Sequence, residues 1–248
     1  MKRPYAVTNR TIGRTLAALA LTLFAAGARA PAQSASEPRQ PPLMDRDTEI
    51  ALALSACPAA LAEKAGVYVL GPAGYVRVRE SANGFTAIVQ HSLPDAQEPQ
   101  CMDQEGAQTF LQRILKVAEL RAKGLAPDAI QREIAAALAR GELRPPSRPG
   151  IDYMLSTQNR PPNAKRIPTP FPPHVMFYAP YLTNADIGVD KNKLGIDGNP
   201  MGPAFVAGEG SPFALIIVPV GDHAGMVHAM PDLDAPARPR EGGEKTGR

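Results

Sequence analysis

Between residues 44 and 230, the pattern of apolar and polar positions reads as a short helix, three strands, two helices and three further strands. Ile50, Leu52 and Leu54 among alanines predict a helix from Asp47 to Cys57, which Pro58 interrupts and Leu61 continues. Three short runs rich in β-branched and aromatic residues follow at 67–70, 75–79 and 85–89. Gly71-Pro-Ala-Gly74 and Ser81-Ala-Asn-Gly84 separate them and read as hairpin connections of about four residues, so the three strands are expected to form a meander. Alternation in the middle strand directs Val76 and Val78 inward and Arg77 and Arg79 toward water.

Asp103 is placed to cap a helix running to about Lys123, with Phe110, Leu111, Ile114, Leu115 and Ala118 at helical spacing and Gly124 as the stop. Pro127 opens a second helix that buries Ile130, Ile134 and Leu138 and ends at Gly141. The two form a helical hairpin. The last three strands are expected at 151–155, 174–178 and 213–218. The third of these is apolar at every position, as a strand covered on both faces would be. Long connections at 156–173 and 179–212 hold most of the Pro, Gly and Asn, and connections of that length tend to be functional or disordered. Together the elements make a single α+β domain over 44–230 with a mostly antiparallel sheet.

The two ends of the chain read differently. Lys2, Arg3, Arg10 and Arg14 precede an apolar stretch from Leu16 to Ala28, and small residues follow. Those are the parts of a secretory signal peptide over residues 1–30. Residues 31–43 read as a proline-rich linker, and 231–248, with no apolar periodicity, as a disordered tail. Export, to the periplasm or the medium, is therefore expected. No apolar run in the body of the chain approaches the roughly 18 residues of a membrane span. Removing the leader also changes the charge: the whole chain is +3, but residues 1–30 carry five Lys/Arg and no Asp/Glu, which leaves 22 basic against 24 acidic residues. A nucleic-acid partner wants a basic stripe that this balance does not supply. Export and charge together favour a packing hairpin over a DNA-reading helix-turn-helix.

Cys57 and Cys101 are the only cysteines. In an oxidising compartment they either bridge, closing a loop of about 45 residues, or remain two buried thiols; the sequence leaves both open. Neither belongs to a zinc-type spacing. Of the histidines, His91 falls at a strand end, His174 opens a strand, and His223 and His228 lie near the C-terminus beside Asp222 and Asp232. These last four have the donor types of a metal site without a helical spacing that would join them. Asp190, Asn192 and Asp197 make the 186–199 loop a weak calcium candidate, but Leu194 and Met201 stand where an EF-hand needs ligands. Asx-turns that cap local backbone are the competing account of that loop. Serine-elbow, Ser-x-x-Lys and phosphate-loop motifs are absent, and the sequence leaves any cofactor unknown. The remaining constellation is the face shared by His174, Met176 and Tyr178. If that face is open, His174, Tyr178, Tyr181 and Asp186 are the candidate lining of a pocket beneath the long loops.

The runs Tyr153-Met-Leu-Ser156, Pro172-Pro-His-Val-Met-Phe-Tyr-Ala-Pro180, Asn184-Ala-Asp-Ile-Gly188 and Asn83-Gly-Phe85 resemble those of a family of exported bacterial proteins of unknown function, over most of residues 45–220. The resemblance implies an exported single domain and carries no catalytic residue, cofactor or substrate. Three functions follow as expectations. The first is an exported domain that binds or senses a small ligand. The second is a periplasmic hydrolase or metal-dependent enzyme using His174 or His223, and the third a structural or protein-interaction domain.

Overall fold

The computed structural model describes residues 40–163, 165–190 and 204–220. The expected leader, most of the linker, Asn192, Asp197, His223, His228 and the expected tail lie outside the described residues. Helices α1 (Arg46–Leu54) and α2 (Ala59–Ala62) are followed by strands β1 (Gly66–Gly71), β2 (Gly74–Arg79), β3 (Thr86–Gln90) and β4 (Glu98–Met102). Then come α3 (Gln104–Gln108), α4 (Phe110–Ala122), α5 (Pro127–Ala139), β5 (Ile151–Met154), β6 (His174–Tyr178), a 3-10 turn (Ala185–Ile187), β7 (Phe205–Ala207) and β8 (Leu215–Pro219). The eight strands form one sheet in the order β2-β1-β3-β4-β5-β6-β8-β7. The α+β class and the mostly antiparallel sheet are as expected. No helix of the described residues is long and apolar enough to cross a membrane.

Capping chemistry sets several boundaries. Asp45 accepts from Thr48 N–H to start α1, and Asp103 accepts from Gly106 N–H to start α3. Pro127 occupies the first turn of α5, while Gly124 and Gly141 take φ of +78° and +73° just past the two helix ends. The expected long helix is divided in two. At Thr109 the backbone leaves the helical region (φ −128°, ψ −77°) and its hydroxyl donates back to the Glu105 carbonyl at 2.7 Å.

The meander is corrected. β1 and β2 form an antiparallel hairpin with only Pro72 and Ala73 between them, yet β3 pairs parallel with β1, on its other side. The 81–84 segment is a crossover rather than a hairpin turn. Ala82 N–H donates to Lys64 O (2.8 Å), Asn83 Nδ2 to Leu61 O (2.8 Å), and Gly66 N–H to Phe85 O (2.8 Å), tying the chain to the entry of β1. Two strands went unforeseen, β4 and β7. β4 reads Glu-Pro-Gln-Cys-Met and is buried at every position. Its Cys101 N–H points toward β5, where Asp152 Oδ1 accepts it at 3.1 Å. Pro99, two residues earlier, therefore lacks its N–H on that same side, and β5 pairs only with Cys101 and Met102.

Two layers cover the sheet. On one face Leu52 and Ala53 of α1, with Ala56 just beyond its end, pack against Val67, Val69, Ala87 and Val89. On the other, Phe110, Leu111 and Ile114 of α4 pack on Ile88, Met102 and Tyr178. α5 closes over α4 through Ile130, Ile134 and Ala137. Val76 belongs to the α1 face, but α1 does not reach it, and it is 56% exposed rather than inward. Arg79 does not run free into water: it donates to the carbonyls of Ala62 and Ala65, each at 2.6 Å. β8 is also corrected. It lies between β6 and β7 with only Ile217 buried, so it is not covered on both faces.

Cys57 and Cys101 meet at disulfide distance, S–S 2.04 Å and Cα–Cα 5.1 Å, joining the end of the first helical segment to β4. Closing that loop stabilises the fold by about 3–4 kcal/mol in the chain-entropy account. Cys57→Ser should therefore lower the melting temperature of the oxidised protein by roughly 10 °C. An unchanged melt by differential scanning calorimetry would show that the bridge contributes nothing.

Candidate functional site

The sequence placed its candidates on β6, and the structure puts them on the covered face. His174, Met176 and Tyr178 are buried, whereas Val175 is half-buried and Phe177 is exposed. The open side of β6 is thus the one opposite to that which a pocket would have required. His174 sits edge-on to Phe171 (4.9 Å between centroids) and directs Nδ1 at the Pro172 carbonyl, 2.9 Å away. Burial holds its pKa down at about 4.

Tyr178 packs on Phe110 and lies over Gly106 and Gly150, either of which would clash with its ring or hydroxyl if it carried a Cβ. Its hydroxyl is shared between Asp103 Oδ1 (3.1 Å) and the Ile151 carbonyl (2.9 Å). Burial pushes that hydroxyl's pKa far up, and the nearby Asp152 and Asp103 charges add to the shift. Asp152 is itself raised well above the usual carboxylate range by burial. Tyr181 is exposed with φ +66°, and Asp186 is exposed and caps Thr183 through its N–H and hydroxyl. Of these four residues, His174 and Tyr178 are buried on the covered face of the sheet, and Tyr181 and Asp186 face solvent. Asp190 is exposed at the margin of the described residues. No group of three or more His, Cys, Asp or Glu among the described residues could hold a metal ion.

A cleft of about 880 Å³ opens elsewhere, between α4, the start of α5 and the 90–94 turn that leads from β3 toward β4. Arg113, Val117 and Arg121 follow one another at four-residue steps on α4, so both guanidinium groups flank the cleft on one side of the helix. Arg121 donates to the His91 carbonyl (2.8 Å) and the Ser92 carbonyl (3.2 Å) and so fixes the turn. Arg113 lies over the Phe213 ring, 5.5 Å from its centroid. Burial lowers the pKa of both arginines.

His91 closes the inner end. It is 6% exposed, and its Nδ1 lies 2.6 Å from the Ala96 carbonyl. A carbonyl can only accept, so Nδ1 carries the hydrogen and Nε2 presents a lone pair. Burial lowers the His91 pKa, which keeps the ring neutral. That Nε2 is buried and has no hydrogen-bond partner. Behind the turn, Glu98 accepts the Ser92 N–H at 2.7 Å, and burial raises its pKa.

No protein-family model, curated protein or solved structure matches the chain. The chemistry must be read from the cleft itself. It offers cationic donors, one neutral acceptor nitrogen and an apolar wall, which is the equipment for holding a small molecule in a fixed orientation. Nothing in the sequence analysis singled out Arg113 or Arg121. Their eight-residue separation along a helix of expected register was the available signal. The cleft draws only its rim from the expected loop, at Pro162 and Arg166.

Two outcomes follow from the buried groups. Ala at Gly106 should destabilise the fold by about 2–3 kcal/mol, because Tyr178 fills the space of its Cβ. A urea midpoint equal to that of the native protein would refute that close packing. The His174 pKa is depressed in the folded state, so the unfolded chain binds more protons between pH 6.5 and about 4 and stability falls as the pH drops through that window. His174→Gln should remove on the order of 2–3 kcal/mol of the acid-induced loss. Denaturation at pH 7 and pH 4.5 reads it, and identical losses in both proteins would exclude the His174 contribution.

Proposed function

We propose that this chain is an exported domain that binds a small ligand, and that the cleft between α4 and the 90–94 turn is its site. One observation carries the reading: the fully buried, unpartnered Nε2 of His91, a residue that lines the cleft. Buried polar atoms are nearly always paired, so an orphan acceptor on a residue that lines a cleft marks a place for a donor supplied from outside the chain. The volume fits the range of small-molecule sites, and rigid elements frame it. Export rests on the basic-then-apolar pattern of residues 2–30, on the resemblance to exported bacterial proteins, and on a cysteine pair suited to an oxidising compartment. A hydrolase built on His174 has less support, because that ring is packed against Phe171 and does not line the cleft beside α4.

Native and denaturing mass spectrometry of the mature protein from the periplasm test the reading. A native mass above that of the polypeptide, lost on denaturation, is expected. Val117→Trp, which fills the cleft from a half-buried position, should abolish the excess while leaving the circular dichroism unchanged. Equal native and denatured masses for the parent protein would overturn the reading.

A further inference from the structure

The charge of the cleft is one-sided. Arg113, Arg121 and Arg166 line it, and no Asp or Glu does. Outside it, four arginines, Arg77, Arg140, Arg144 and Arg148, each meet a glutamate within 3.2 Å. Among the described residues, the Arg113 guanidinium makes no hydrogen bond or ion pair and lies over the Phe213 ring. Arg121 spends two of its five N–H groups on the carbonyls of His91 and Ser92, which leaves the others for a ligand. The acid whose charge acts on Arg121 is Glu98, which sits behind the turn and whose burial favours the neutral form. The smaller cleft of about 380 Å³ on the far side of Tyr75 makes the contrast, since its Lys116 is accompanied by Glu119 and Glu142. Beside the arginines, Leu70, Ile114, Val117, Leu125 and Ile130 give the cleft an apolar wall.

We infer that the ligand of this cleft is an amphipathic carboxylate, with its anionic head on Arg113 and Arg121, its apolar body along the α4–α5 wall and a hydroxyl or N–H donor on His91 Nε2. The inference rests on the binding reading above and adds the ligand class to it. Half-buried, unpaired guanidinium groups are attracted to a carboxylate by charge-assisted hydrogen bonds stronger than neutral ones. The apolar wall rejects a bare inorganic anion, because such an ion would leave the wall hydrated and gain nothing from it.

Decanoate and decyltrimethylammonium, which share a ten-carbon chain and differ in the sign of the head, are the probes. Titration calorimetry on the mature protein should show decanoate binding at least roughly tenfold tighter than the cation. Arg113→Gln, folded by circular dichroism, should lose about tenfold in decanoate affinity. If R113Q fails to fold, R121Q carries the same comparison. Equal affinity for the two probes, or decanoate binding untouched by the arginine variant, would overturn the carboxylate assignment and leave a binding cleft standing. Binding of neither probe, with a co-purified mass still present, would do the same. Binding of neither probe with no co-purified mass would overturn the binding reading and this inference together.

Discussion

The amide of Cys101, donated to the buried carboxyl of Asp152, sits where the two halves of the sheet join. β4 is buried at all five positions although it carries Glu98, Gln100 and a proline. Burying such groups costs several kcal/mol unless each finds a partner. The partners found are the framework of the domain. Gln100 bonds the Gln90 side chain across the ladder, Cys101 meets Cys57 at the end of the first helical segment, and Glu98 takes the Ser92 N–H. The residue after the strand, Asp103, caps α3, accepts from Ile151 N–H and receives Tyr178 from β6. Both helical layers and the second half of the sheet are thus referred to one short polar strand.

The cleft inherits its shape from that arrangement. The Glu98 contact folds the 91–94 segment back over the end of β4, and Arg121 holds the same segment from the helix side through two carbonyls. α4 thereby packs one stripe into the core and turns an adjacent stripe toward an enclosed space lined by arginines. Half-burying a guanidinium without a counter-ion is unfavourable, as the lowered arginine pKa values reflect. The fold tolerates this because Arg121 gains two turn carbonyls and Glu98 fixes the same turn from behind.

Local chemistry made much of this readable. The Gly124–Pro127 turn, the Asp103 cap and the alternation of β6 have meaning within a few residues, and those elements lie where the spacing places them. β4 has no such local meaning: Glu-Pro-Gln-Cys-Met becomes a strand only when β3 and Asp152 supply its partners. The parallel pairing of β1 with β3 was hidden in a Ser-Ala-Asn-Gly segment that resembles a turn, since its hydrogen bonds go to Leu61 and Lys64, some twenty residues earlier. The alternation correctly grouped His174 with Tyr178 but could not tell which side of the sheet would be covered. Arginines on a helix read as a solvated face, so the cleft became visible only once the 90–94 turn was folded over them.

β7 is three residues long and lies at the margin of the sheet, where its outer backbone groups face away from β8. Val206 does not leave them vacant. Asn184 donates from Nδ2 to the Val206 carbonyl at 3.0 Å and accepts the Val206 N–H at 2.8 Å, making the two bonds a ninth strand would make. Glu209 holds the same amide in place from its other side. A side chain thus occupies the docking positions of a foreign backbone, and the sheet is protected at this border against templated strand addition and self-assembly.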